Sequence, residues 1–268
     1  MKLDARVVRL GAVALCAMAL VACGGDDDKH AGGTSIAPPA PPAPAPTVVT
    51  GKVDAPFVAG STARFVSMGM DTAQGPLNGV TQDTNGAFQT IGAFRSANAA
   101  EVGGISGNAS FALGSWVGKV VNATTGVEVN APNAMSYAVF NRSTVARADG
   151  TLACTPHITS ARIAIGKGES LAGSATMTIA EGVISVSGEL AVKQADGNSV
   201  PVVLDNRFSR IDSTTYVGLI APTSKPIEYS LTIGDGANDG HVVVMPWKLN
   251  TANGAQYGVA VLDCKRPA

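Results

Sequence analysis

Apolar and polar residues alternate one by one through much of the second half of the chain. Ile184, Val186, Leu190 and Val192 are interleaved with Ser185, Ser187, Glu189 and Lys193. Ala175, Met177 and Ile179 alternate with Ser174, Thr176 and Thr178, and Tyr229, Leu231 and Ile233 with Glu228, Ser230 and Thr232. Val243, Met245, Trp247 and Leu249 share one face of a run, as do Tyr257, Val259 and Val261. A period of two sends successive side chains to opposite faces of an extended strand. An apolar face backed by a polar one predicts antiparallel sheet that is wet on one side. Gly188 interrupts its run and predicts a bulge. Pro246 has no N–H to give a ladder, so the run 242–249 reads as an edge strand or a bulged one.

Turn residues punctuate these runs. Asn253-Gly254 predicts a hairpin between the last two strands, and Asn85-Gly86 predicts another ahead of a strand over 87–91. Asp196-Gly197-Asn198 and Thr124-Thr125-Gly126 separate further strand pairs, and Asp235-Gly236 with Asp239-Gly240 bracket a longer connection. No stretch keeps a 3.6-residue period over three turns; Ala97 to Val102 is the best helical candidate, at one or two turns. Three segments, 116–129, 184–204 and 242–262, look alike as strand–turn–strand units. Their spacing is unequal, so no repeat is assigned. The expected fold is all-β: an antiparallel meander of roughly ten or more strands that forms a β-barrel or a β-sandwich.

The N-terminus follows another logic. Lys2, Arg6 and Arg9 precede an apolar stretch from Leu10 to Ala22, which is shorter than the roughly 18 residues of a comfortable bilayer span. The tetrad Leu20-Val21-Ala22-Cys23 resembles the lipobox of bacterial lipoproteins. The resemblance covers the signal segment, about a tenth of the chain. It implies removal of residues 1–22, acyl chains on Cys23 and, because Gly24 rather than Asp follows the cysteine, sorting to the outer membrane. Several acyl chains, at roughly 0.8 kcal/mol per buried methylene, make a stable anchor. Residues 23–48 are then the lipidated cysteine and a linker. Its Pro/Ala run from Ala37 to Pro46 favours extended polyproline II, a spacer of about 3.1 Å per residue. Residues 49–268 are expected to form a single all-β domain.

Charge narrows the partners. The chain has 19 basic and 20 acidic residues, and without residues 1–22 the balance is 16 to 19. Nothing here provides the basic footprint of a nucleic-acid binder. The four cysteines divide cleanly: Cys16 leaves with the signal, Cys23 takes the lipid, and Cys154 and Cys264 are expected to pair as a disulfide in an oxidising compartment.

Catalytic chemistry finds little support. A nucleophile elbow requires Gly-x-Ser-x-Gly, and Gly104-Ile105-Ser106-Gly107 has a different spacing. His157 and His241 are the only histidines after the linker, and a structural or surface role is expected for each. Asp235-Gly-Ala-Asn-Asp-Gly240 has the flavour of a calcium loop, but Ala237 occupies a ligand position and the distal glutamate is missing. Glu101, Glu128, Glu169, Glu181, Glu189 and Glu228 cannot be paired into a glycosidase site from their spacing. Arg207-Phe208-Ser209-Arg210, leading to Tyr216, reads mainly as a solvated face. Trp116 and Trp247 fall in strand-like runs as core residues that would also line any barrel interior.

The expectation is therefore a lipid-anchored protein of the outer membrane, on its periplasmic or surface face. Its β-domain binds a small ligand or an envelope protein without catalysis. The alternatives are a structural envelope component and a hydrolase with a dispersed site. No catalytic residue, metal or cofactor is assigned.

Overall fold

The fold was obtained as a computed structural model, which describes residues 49–69, 72–96, 102–145, 148–160, 170–193, 197–217, 227–251 and 254–267. All of these belong to one compact unit, Ala43–Ala268. Cys23, the linker and residues 97–101 of the helical candidate lie outside the described residues; Val102 opens a strand.

The described residues form sixteen strands and no helix. In chain order these are β1 (Val49–Gly51), β2 (Ala63–Met68), β3 (Ala73–Pro76), β4 (Thr90–Ile91), β5 (Phe94–Ser96), β6 (Val102–Asn108), β7 (Phe111–Asn122) and β8 (Glu128–Asn141). They continue with β9 (Gly150–Ser160), β10 (Ser170–Ala180), β11 (Val183–Lys193), β12 (Ser199–Phe208), β13 (Thr214–Val217), β14 (Ile227–Asp235), β15 (His241–Thr251) and β16 (Gly254–Lys265). The first eight make one sheet, ordered β1-β6-β7-β8-β2-β3, with the β4–β5 hairpin attached to β7 through β5. Pairing is antiparallel except between β1 and β6.

The last eight make the second sheet, ordered β12-β11-β10-β9-β16-β15-β14-β13. Two four-stranded meanders, β9–β12 and β13–β16, meet along β9 and β16. The sheet curls until it is nearly closed. Inward side chains from β9–β12 and β14–β16 share one apolar interior that includes Leu152, Met177, Val186, Leu204, Leu231 and Trp247. The seam left between β12 and β13 is crossed by a side chain: the Tyr229 hydroxyl reaches Val203 O and Asn206 Oδ1, each at 3.2 Å.

The two sheets stack. Val242 and Val244 of β15 and Val259 and Val261 of β16 turn outward and pack on Val66, Phe111, Leu113 and Phe140 of the first sheet. The strands at the interface are therefore apolar on both faces. This corrects the one-sided reading: Tyr257, Val259 and Val261 do share a face, but it meets the other sheet, while Ala260, Leu262 and Cys264 line the interior. The opposite face of the first sheet closes over Ala87 and Phe88. The Trp116 indole donates to Phe88 O at 2.6 Å, and Phe88 N–H donates to the Tyr137 hydroxyl at 3.0 Å.

Several local expectations change. Pro246 lies in a central strand, between β14 and β16, without a register shift. Its missing N–H coincides with an interruption of the β14–β15 pairing at Ser230–Leu231, opposite Met245–Pro246. Gly188 is not a bulge either, because its pairing with both neighbours is unbroken. A Cβ there would stand 2.4 Å from Ser174 O, so it is close strand approach that demands glycine. The turn at Asn85-Gly86 forms, but of 87–91 only Thr90–Ile91 is strand; Ala87 and Phe88 are instead a buried plug.

Candidate functional site

The inner wall of the second sheet offers the most concentrated candidate chemistry. Strand register places two rows of inward residues side by side on β14, β15 and β16. One row is Ile227, Leu249 and Gln256; the next, deeper along the strands, is Tyr229, Trp247 and Gly258. Gly258 makes room for the indole. A Cβ there would lie 2.4 Å from Trp247 Cζ2 and 2.9 Å from Nε1, so the ring covers the glycine backbone. The first sheet repeats the device, with the Tyr137 ring over Gly114 directly across the β7–β8 ladder.

Polar atoms on this wall are only partly satisfied. Tyr229 uses its hydroxyl to bridge the seam to β12, and its pKa is raised by burial and, secondarily, by the Asp205 carboxylate. Trp247 is fully buried, yet its Nε1–H has no hydrogen-bond partner among the described residues. Gln256 Oε1, one strand away, is buried and equally unpartnered. The sequence singles out Trp247 through its period-two neighbours Val243, Met245 and Leu249. It does not single out Gln256, whose face reads as weakly apolar because Gly258 and Ala260 carry so little side chain.

Trp116 belongs to the first sheet rather than to this interior. Its ring packs on Tyr137 at 5.4 Å between centroids, and its N–H is used by Phe88. Burial also raises the pKa of Tyr137, the largest influence on that phenol.

His157 and His241 each have a serine beside them. Ser106 Oγ is 3.3 Å from His157 Nδ1, across the junction between β6 and β9. The imidazole packs on Phe111 with ring centroids 5.1 Å apart. Burial is the main influence holding its pKa below the ordinary histidine value, opposed by the Asp263 carboxylate. Asp263 is itself only 4% exposed and accepts from Asn108 Nδ2 at 3.2 Å and Lys265 Nζ at 2.9 Å. Asp263 and His157 share no hydrogen bond, so the serine–histidine contact has no orienting carboxylate there.

His241 and Ser143 are fully buried where the chain crosses from the first sheet to the second. Ser143 Oγ donates to Asp235 Oδ1 at 2.5 Å, and His241 Nδ1 lies 3.4 Å from both Ser143 Oγ and Gly234 O. The serine proton is given to the carboxylate, so Ser143 ties Asp235 to the end of the first sheet.

The 235–240 segment is the β14–β15 hairpin, with Gly236 N–H donating to Gly240 O and left-handed backbone at Asn238 and Asp239. Among the described residues, no three His, Cys, Asp or Glu side chains gather as a metal site. Arg210 clasps Asp212 in two hydrogen bonds of 2.9 and 2.7 Å, Arg207 is exposed on β12, and Phe208 is core. Tyr216 is in β13, and its side chain lies outside the described residues, as do Glu101 and Glu169. Glu128 pairs with Lys119 and Glu228 with Lys248, while Glu181 occupies a turn and Glu189 is exposed. Cys154 and Cys264 face each other across β9 and β16 and are joined, with S–S 2.06 Å.

Comparison with protein-family models, with curated proteins and with solved structures finds no match.

Proposed function

We propose that this chain is a lipid-anchored cell-envelope protein, held in the outer membrane through Cys23, whose β-domain binds a small ligand without catalysis. The observation that carries the binding half of this reading is the barrel-like second sheet with unmet polar atoms on its inner wall. Eight strands enclose an interior that either fills with side chains or holds one small molecule. An interior filled for stability alone has no use for an orphaned donor and acceptor.

The anchoring half rests on Leu20-Val21-Ala22-Cys23 and the charged, then apolar, segment before it. The Pro/Ala linker fits the same reading as a spacer between lipid and body. The disulfide is in keeping with an oxidising compartment. A hydrolase reading would rest on Ser106 and His157, which touch but lack an oriented third group.

Fractionation tests the anchor. Cys23→Ser should move the protein from the membrane pellet to the soluble fraction, with its N-terminal segment processed differently. Retention of Cys23→Ser in the pellet, with unchanged processing, would contradict the lipid assignment.

A further inference from the structure

We infer that the Ile227–Gln256 end of the second sheet's interior is a site for a small neutral ligand presenting a hydrogen-bond acceptor and donor on one edge, such as an amide or lactam. This rests on the proposed binding function and specifies its ligand. The juxtaposition that carries it is the pair Trp247 Nε1–H and Gln256 Oε1: a donor and an acceptor, both buried and both unpartnered among the described residues, on adjacent strands of one wall.

Gln256 pairs with Leu249, and Trp247 with Gly258, two residues further along β16. The two side chains are thus diagonal neighbours on the inward face, within the reach of long side chains across a ladder. They do not satisfy each other. A buried polar group without a partner is expensive, and folded proteins retain such groups where a water, ion or ligand completes them. An indole N–H can only donate and an amide oxygen can only accept. Whatever completes both must therefore offer an acceptor to Trp247 and a donor to Gln256. A cis-amide edge offers these side by side.

The described neighbours favour a neutral ligand. Among the described residues, Ile227, Tyr229 and Leu249 flank the pair on β14 and β15, and none carries a charge. An ionised group would be desolvated there with no counter-charge. The third polar group of the wall, the Tyr229 hydroxyl, is committed to Val203 and Asn206 across the seam. It holds the interior closed instead of competing for ligand.

The experiment uses the full chain labelled with ¹⁵N-tryptophan. Its two tryptophans give two indole N–H signals. Trp247→Phe deletes one; should that variant fail to fold, Trp116→Phe assigns the pair by elimination. The probes are δ-valerolactam and its N-methyl derivative, which keeps the acceptor and loses the donor. We expect δ-valerolactam to shift the Trp247 signal saturably and leave Trp116 unmoved, since Trp116 already donates to Phe88 O. The N-methyl probe should bind about tenfold more weakly, the loss of roughly one hydrogen bond. In Gln256→Met, which keeps the length and removes the acceptor, the two probes should come within about twofold of each other.

Equal binding of both probes to the unmodified chain would overturn the inference. So would a Trp247 signal that no lactam moves but that shows exchange with a bound water: the pair would then be completed by solvent only. If no lactam binds but the protein carries another molecule from its envelope, this inference fails and the binding function stands. If no lactam binds and the protein is bare, both fall.

Discussion

His157 is wedged between the sheets, against Phe111 and beside Ser106, with Asp263 and Lys265 on the adjacent strand and Asp54 nearby. Burial favours its neutral form. The folded chain therefore binds this proton less readily than the unfolded chain, whose histidine titrates near 6.5. The stability it contributes is complete above that value and is lost as pH falls through the lower folded pKa. Urea denaturation at pH 7.5 and at pH 5.5 should show the wild type losing stability at the lower pH. His157→Gln should lose measurably less over the same interval. An equal loss in both proteins would remove His157 as the cause. From the sequence a structural or surface role was expected for this histidine. Its partners were not legible, because Ser106, Asn108 and Phe111 come from the other sheet, some 50 positions away.

Single elements were the most legible level. The alternation around Ile184–Val192, Ala175–Ile179 and Tyr229–Ile233 identified strands whose apolar faces are the interior of the second sheet. Thr124-Gly126 turns between the paired β7 and β8, and the signals Asn253-Gly254 and Asp196-Gly197, whose first residues lie outside the described ones, fall between strands that pair. Where a strand is covered on both faces, one-sided alternation points to the wrong face. On β16 the larger side chains, Val259 and Val261, look outward to the first sheet; the small Gly258 and Ala260 look inward, with Gln256 among them. Pro246 misled for a related reason: an edge is one way to tolerate a missing N–H, and a local interruption inside a wide sheet is another.

The Cys154–Cys264 bond also acts at this scale. It ties the two meanders where they meet, because β9 of one pairs with β16 of the other and Cys154 lies opposite Cys264. It closes a separation of 110 residues, for which the chain-entropy estimate is about 4–5 kcal/mol, part of which the denatured state can recover. Replacing both cysteines with alanine should lower the unfolding free energy by about 3–5 kcal/mol by urea titration. A loss below about 1 kcal/mol would mean that the ladder alone holds the meanders together.

For the whole molecule, the sequence was sufficient for an all-β chain and could not give its architecture. Two eight-stranded sheets, one nearly closed and stacked on the other, depend on pairings such as β9 with β16 and β8 with β2 that join distant segments. The candidate site is divided in the same way. Trp247 stands out from periodicity, whereas Gln256 becomes conspicuous only when register puts it beside an indole that nothing else completes.

Native mass spectrometry of the full protein, purified from its own envelope in a gentle buffer, tests the proposed function most directly. The expected species begins at Cys23, bears acyl chains, lacks the two hydrogens of one disulfide and carries a reproducible extra mass that leaves on activation. A chain retaining residues 1–22, unacylated and with no additional mass, would contradict both the anchor and the bound ligand.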